Sequence, residues 1–266
     1  MGLIVVKLGG SLITDKERPS TVRSDVLRRL AREIAAARPA LEGPLLVSHG
    51  SGSFGHAAAV RYDVARGITS AAQLPGLAAT QGQAHRLHRI VVEALLDADL
   101  APFSLAPSSF LVADGGEPVE VLLEPLLRAI ALGLLPVTFG DVVLDRRRGA
   151  AICSTETVLL ALAPRLAAAR VPVEQVLWMG ATRGVLGPDG RTVAAITAEN
   201  VEPVLAASVG AAGTDVTGGM RHRVETAWRL AGAGVPSLLL DGLEEGTLEQ
   251  ALRGEEAGGT RVDAYA

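Results

Sequence analysis

The chain is poor in several things, and each shortage excludes something. It holds one cysteine, Cys153, in 266 residues, which rules out an intramolecular disulfide and any multi-cysteine zinc or iron–sulfur site and fits a reducing cytosol. Aromatic residues make up 3% of it, so a core has to be built from Ala, Val, Leu and Ile. No apolar run reaches the roughly 18 residues that a membrane-spanning helix needs. The opening MGLIVVKLGG has no basic region ahead of its short apolar stretch, unlike a signal peptide. These shortages lead us to expect a soluble, cytoplasmic chain with no membrane partner. An excess of one charge is missing too, with 25 Lys and Arg against 29 Asp and Glu for a net charge of −4. The arginines are scattered among acidic residues, which leaves no footprint for nucleic acid.

What the chain has is rhythm. Hydrophobic residues make up 48% of it, and short apolar runs alternate with longer amphipathic ones, the pattern of βα units around a parallel sheet. Strands are expected at 3–8, 44–48, 101–106, 134–139, 175–179 and 236–241, and helices at 24–37, 76–99, 119–132, 154–169, 199–208 and 219–233. The helix over 76–99 should carry Leu77, Gln81, His88, Val92 and Leu95 along one side. Near-continuous apolar strands are buried on both faces, so the expected architecture is α/β, a three-layer αβα sandwich around an open, mainly parallel sheet. A Pro-Asp-Gly turn in VLGPDGRTVAAIT (185–197) suggests an added β-hairpin. The acidic stretch 244–259 reads as a surface helix and a loop. Cys153 reads as a buried thiol.

The chemistry gathers at three glycine-rich junctions. HGSGSFGH (49–56) follows an apolar strand and has the spacing of a dinucleotide fingerprint. A dinucleotide turn needs an acidic residue about 20 positions on, and 68–76 reads ITSAAQLPG. VVKLGGS puts Lys7 inside a strand and Gly9, Gly10 and Ser11 in the turn after it. A lysine in a buried parallel strand is costly unless its ammonium emerges at the strand's C-terminal end, where ligands of open α/β sheets collect. GTDVTGGMRHR (213–223) opens a helix whose first turn carries Arg221, His222 and Arg223, cations that oppose the helix dipole unless an anion is bound there. Together the three junctions describe a phosphate cradle. His49 reads as packing on the strand side of its loop, and His85 and His88 either face a substrate cavity or are partly exposed helix residues.

In order and spacing, KLGGSLITDK (7–16), HGSGSFGH (49–56), FGDVVLD (139–145) and TDVTGGM (214–220) resemble the amino-acid-kinase superfamily, and within it the isopentenyl phosphate kinase branch. The resemblance runs from Lys7 to GTRV (259–262), and the ITDK extension and the histidine closing SFGH point to the branch. It implies one domain over 1–266, with an acceptor half over 1–170 and a nucleotide half over 171–266, in a homodimer. It also implies transfer of the ATP γ-phosphoryl group to the phosphate of isopentenyl phosphate, with Mg²⁺ delivered on ATP and no metal site built by the protein. By motif position, Lys7 would bridge the β- and γ-phosphates, with backbone donors from Gly9, Gly10 and Ser11. Lys16 would support the transferring group. Gly50, Ser51 and Gly52 would line the gap between donor and acceptor phosphates, His56 would donate to the substrate phosphate, and Asp141 would touch the acceptor or organise the cations. Glu156, Gly219 and Arg223 would serve the nucleotide side, Arg223 as part of the catalytic set.

The chain also departs from that pattern. STE (154–156) stands for SGD, Arg223 for a lysine, MGATRG (179–184) for LTDVDG, and Ser51 for a glycine. In the superfamily the aspartate positions the two catalytic lysines, so both partners of one contact have changed here, and an arginine–carboxylate fork keeps the charge but not the geometry. The alternatives are a kinase of the same fold for another small anion such as fosfomycin, or a nucleotide-binding protein that does not turn over.

Overall fold

The computed structural model describes residues 2–54, 66–210 and 219–265; His56, Thr217 and Gly218 lie outside them. Among the described residues an eight-stranded sheet has the order β10-β12-β11-β9-β1-β2-β6-β3. Its strands are β1 (Leu3–Leu8), β2 (Leu45–His49), β3 (Pro102–Ser104), β6 (Leu135–Phe139), β9 (Val173–Gly180), β10 (Ala195–Ile196), β11 (Ser237–Asp241) and β12 (Thr260–Val262). Every pairing from β3 across to β11 is parallel, and only β11 with β12 runs antiparallel.

Alternate residues of these strands feed two separate cores, as the period of two requires. Val5, Leu46, Val176, Trp178 and Leu239 pack with Leu159, Leu162 and Leu166 of α6 (Thr155–Ala168) and with Val224, Ala227 and Leu230 of α8 (Gly219–Gly232). Val6, Leu8, Val47, Leu177 and Met179 face α2 (Ser24–Ala37), α3 (Leu74–Leu96) and α9 (Thr247–Leu252) through Leu30, Ile34, Leu87, Val91 and Leu248. This is the expected three-layer sandwich. Lys7 shares the face of Val5, so its ammonium is directed toward the α6 and α8 layer.

A second, four-stranded sheet has the order β5-β4-β7-β8 and was not foreseen. It is built from β4 (Leu111–Asp114), β5 (Glu117–Val121), β7 (Asp141–Asp145) and β8 (Gly149–Cys153). The expected helix over 119–132 therefore begins later, as α5 (Glu124–Ala131), which follows the short α4 (Pro107–Phe110) and the strands after it. Val119 and Val121 suit a strand paired with β4, and Pro125 sets the helix start. The β7–β8 turn is folded around Asp145, whose carboxylate accepts N–H bonds from Gly115, Gly116, Arg147 and Arg148.

The 185–197 segment folds back on itself as expected, through the antiparallel bridge of Leu186 with Thr192 and the bonds of the Val193 N–H to the Val185 carbonyl and the Gly187 N–H to the Arg191 carbonyl, and its end forms β10, parallel to β12 and followed by α7 (Val201–Gly210). One further expectation needs correction. The buried stripe of α3 runs through Gly76, Thr80, Ala84, Leu87, His88, Val91, Ala94 and Leu95, while Leu77, Gln81 and Val92 are only half-buried. The stripe is turned because His88 and Leu87 both face inward, one toward β2 and one into the core. Cys153 is buried as expected, and burial first, then Asp141 and Glu117, pushes its thiol up to about 12.

Candidate active site

The site forms at the C-terminal ends of the parallel strands. β1 ends at Leu8, and after Gly9 α1 (Gly10–Ile13) starts at once, because Leu12 and Ile13 turn into the core. β2 ends in the turn that begins at Gly50. These two glycine turns touch: a side chain on Gly10 would collide with the Gly52 nitrogen. Gly52 itself takes the left-handed φ of 53°, and a Cβ there would collide with Thr14 Oγ1. Thr14 ties the turns together, donating to the Gly10 carbonyl at 2.7 Å and accepting from the Ser53 N–H at 3.0 Å. Among the described residues, the N–H groups of Gly10, Ser11, Ser51 and Gly52 meet no acceptor. Several free donors in one concavity suit an anion.

Lys7 points into this concavity. Its Nζ lies 2.7 Å from Glu156 Oε1, and both groups are buried. The same ammonium sits 5.8 Å from the centre of the Trp178 ring. Glu156 occupies the first turn of α6, where the helix dipole favours an acid. Burial alone would raise its pKa, but Lys7, and then Arg223, hold it down at about 2. Arg223 comes from α8 and is also buried. Its guanidinium approaches both strand ends, since a Cβ on Gly180 would lie 2.9 Å from Arg223 Nη1 and one on Gly9 3.6 Å from Nη2. Glu156 thus stands between two cations from different helix and strand ends.

Other groups gather at the ends of β2 and β6. Asp141 follows β6 and is buried; its Oδ1 accepts from the Val142 N–H at 2.8 Å, and its Oδ2 lies 3.2 Å from both the Ser108 N–H and His85 Nε2. His49, His85 and His88 surround Phe139 at centroid distances of 5.5, 5.2 and 4.1 Å. The chain brings Lys7, Gly9, Gly10, Gly50, Gly52, Glu156 and Arg223 together. Ser11 lies in α1 beside them, Ser51 is exposed at the tip of its turn, and Gly219 is the first residue of α8. Lys16 lies in the exposed turn after α1. The expected role of His56 concerns a residue outside the described ones.

Sequence reasoning passed over Thr14, Thr155 and Ser104. Thr155 Oγ1 donates to the His49 carbonyl at 2.6 Å and so locks the start of α6 onto the β2 turn. A lone threonine carries no signal in sequence that separates it from any other helix-start residue. Among the described residues, no cluster of three or more His, Cys, Asp or Glu side chains is arranged to hold a metal ion, and no helix is long and apolar enough to cross a membrane.

Residues 2–241 match the amino acid kinase family. The chain belongs to that family. It is 34% identical to the isopentenyl phosphate kinase of Methanothermobacter thermautotrophicus over 98% of both proteins. It is 29% identical to that of Methanocaldococcus jannaschii, again over 98% of each. A solved isopentenyl phosphate kinase superposes with a TM-score of 0.82 at 30% identity, covering 98% of this chain and 99% of its own. Glu156 and Arg223, the two positions where the chain was expected to depart from the family pattern, are both buried, and the Glu156 carboxylate reaches Lys7.

Proposed function

We propose that the protein is an ATP-dependent kinase that converts isopentenyl phosphate to isopentenyl diphosphate. The observation that carries this reading is the buried Lys7–Glu156 pair, set where two glycine turns with free N–H groups meet Arg223. Full-length similarity to proteins named isopentenyl phosphate kinase supports the choice of acceptor.

Both reactants are anionic phosphates, so the protein's task is alignment and charge neutralisation. In the transfer, the bond from the γ-phosphorus to the β-phosphate bridging oxygen breaks as a bond to an acceptor phosphate oxygen forms, leaving ADP and the diphosphate. Lys7 would follow the bridging oxygen and Arg223 the nucleotide phosphates, while Glu156 keeps the two cations apart and oriented. Gly9, Gly10, Ser11 and Gly219 would add N–H donors on the nucleotide side. Gly50, Ser51 and Gly52 would hold the gap, Lys16 would close over the transferring group, and Asp141 and His56 would serve the acceptor. No covalent nucleophile is needed, and the buried Cys153 thiol is unsuited to be one.

The donor set is cationic and N–H rich, so it fits a divalent ion only as one carried by the nucleotide. Mg²⁺ on ATP would supply further neutralisation of the β- and γ-oxygens. The division into an acceptor half over 1–170 and a nucleotide half over 171–266, a cytoplasmic location and a homodimer belong to the same proposal. For the dimer, Leu144 and Ile152, exposed apolar side chains on adjacent strands of the small sheet, offer a contact surface that sedimentation would test.

The deciding experiment supplies purified protein with Mg-ATP and, in turn, isopentenyl phosphate, dimethylallyl phosphate, longer alkyl monophosphates and fosfomycin. ADP release with isopentenyl phosphate above the others is expected. Release with none of them would overturn the enzyme reading, and ATP binding by calorimetry without transfer would favour the non-catalytic alternative. His56→Ala should lower turnover on alkyl phosphates, and unchanged kinetics would remove His56 from the site.

A further inference from the structure

The histidines on β2 and α3 form a directed chain whose proton positions follow from chemistry. The Gly50 carbonyl oxygen can only accept a hydrogen bond, and it lies 3.1 Å from His49 Nδ1. That nitrogen therefore carries the proton. Burial holds His49 down at about 4, with Lys7 also lowering it against the opposing Gly50 bond, so the ring is neutral near pH 7 and its Nε2 is bare. His88 Nδ1, 3.1 Å away, must then donate to it. Burial, then His49 and His85, lower His88 to about 3. Its own Nε2 is therefore bare too and accepts from the Ser104 hydroxyl at 2.6 Å.

The end of this chain is a peptide group of the phosphate loop. Gly50 is fixed at its nitrogen by a 3.0 Å bond to the Leu8 carbonyl and at its oxygen by His49. In a trans, planar peptide the C=O and the following N–H point in opposite directions, and the described chain has no cis bond. Holding the Gly50 carbonyl against the imidazole therefore turns the Ser51 N–H away from it. That N–H meets no acceptor among the described residues, and the Gly50 backbone beside it lies against Lys7 and Gly10, a Cβ there falling 3.8 Å from Lys7 Nζ. The rings have little freedom to relax, since both stack on Phe139 with interplanar angles of 6° and 21°.

We propose that His88 and His49 are positioning residues, a tautomer-fixed pair that sets the Gly50–Ser51 peptide so that the Ser51 N–H faces the phosphoryl group in transfer. The proposal rests on the phosphoryl-transfer reading given above. It goes further by assigning a use to two buried imidazoles that packing alone would not require. It also explains why an exposed Ser51 is tolerated in place of a glycine: the backbone N–H, and not the side chain, does the recognition.

Nitrogen-15 spectra of the full chain with labelled histidine test the chain of donors directly. At pH 7 both His49 and His88 should be neutral with the proton on Nδ1, and a proton on Nε2 of either ring would overturn the proposal. Kinetics test its use. His88→Asn places an amide donor near the Nδ1 position and should keep kcat within about threefold of the parent. His88→Leu should lower kcat by about tenfold to a hundredfold, the range for weakening one preorganised donor, with little change in either KM. Equal turnover by the two variants, in a parent that releases ADP, overturns this inference alone. A parent that releases no ADP overturns the kinase reading, and the spectra still decide the tautomers.

Discussion

Lys7 Nζ and Glu156 Oε1 are 2.7 Å apart in a buried pair, and Arg223 lowers the same carboxylate's pKa from another direction. One acid balances two cations that would otherwise repel. Removing one partner of a buried charge set leaves the rest uncompensated, which costs more than the pair itself is worth. Glu156→Gln should therefore lower kcat/KM in an ADP-release assay by about 100- to 1,000-fold, the scale for losing a preorganised electrostatic contact. A loss below about threefold would mean that Glu156 is only a spacer.

Glu156 and Arg223 should be coupled. Shortening the acid in Glu156→Asp draws it away from Lys7, and Arg223→Lys replaces a planar fork with a point charge. Each single change should reduce turnover, and the double variant should recover part of it. The interaction energy expected for neighbours in one charge network is about 0.5–3 kcal/mol. Additive losses would show that the two positions act independently.

Most of the main sheet was legible in the sequence because its strands are buried on both faces. Runs such as LIVVKL and the QVLWM of β9 carry their own signal, and β1 occupies the residues 3–8 expected of it. The small sheet was not legible. Its strands expose residues such as Leu144 and Ile152 and blur the alternation, and β5 runs into a helix with only Pro125 to mark the change. Within the site, Lys7 and the glycine turns were readable because a lysine in a buried strand is a cost that demands a reason. The His49–His88 contact joins residues 39 positions apart, and nothing in either local pattern announces it. The stripe expected on α3 placed His88 and Leu95 on the buried face but also Leu77, Gln81 and Val92, which are half-buried, because packing against β2 and the core turns the helix.

Gly52 offers a test of the cradle that does not touch a charge. Its φ of 53° is in the left-handed region, and an added Cβ would collide with Thr14 Oγ1 and the Gly10 carbonyl. Gly52→Ala must move the turn, since a backbone oxygen cannot swing aside as a flexible side chain would. The strain of a non-glycine residue there, about 1–3 kcal/mol, should appear as a lower urea midpoint. The displaced N–H groups should also raise the KM for ATP. Wild-type KM with reduced stability would place Gly52 in the scaffold only.

The two buried imidazoles also make stability depend on pH. Their ordinary pKa of 6.5 is lowered on folding to about 4 for His49 and about 3 for His88. Between pH 6.5 and 4.5 the unfolded chain takes up protons that these rings refuse, so unfolding becomes easier as pH falls, by about 1.4 kcal/mol per pH unit for each proton. The groups facing them do not cancel this. Burial, with Lys7 adding to it, keeps His49 deprotonated, burial and then His49 and His85 do the same for His88, and Asp141 is engaged by His85. The carboxylates held low act in a different window. Glu156 and Asp145, both held at about 2, add stability that is complete above their unfolded values of 4.5 and 3.8 and is lost as pH falls through about 2. Urea midpoints measured from pH 7 to 4.5 should therefore fall steadily for the parent chain. His88→Asn removes one of the two protons and should roughly halve that slope. An unchanged slope would mean that His88 titrates normally in the folded state.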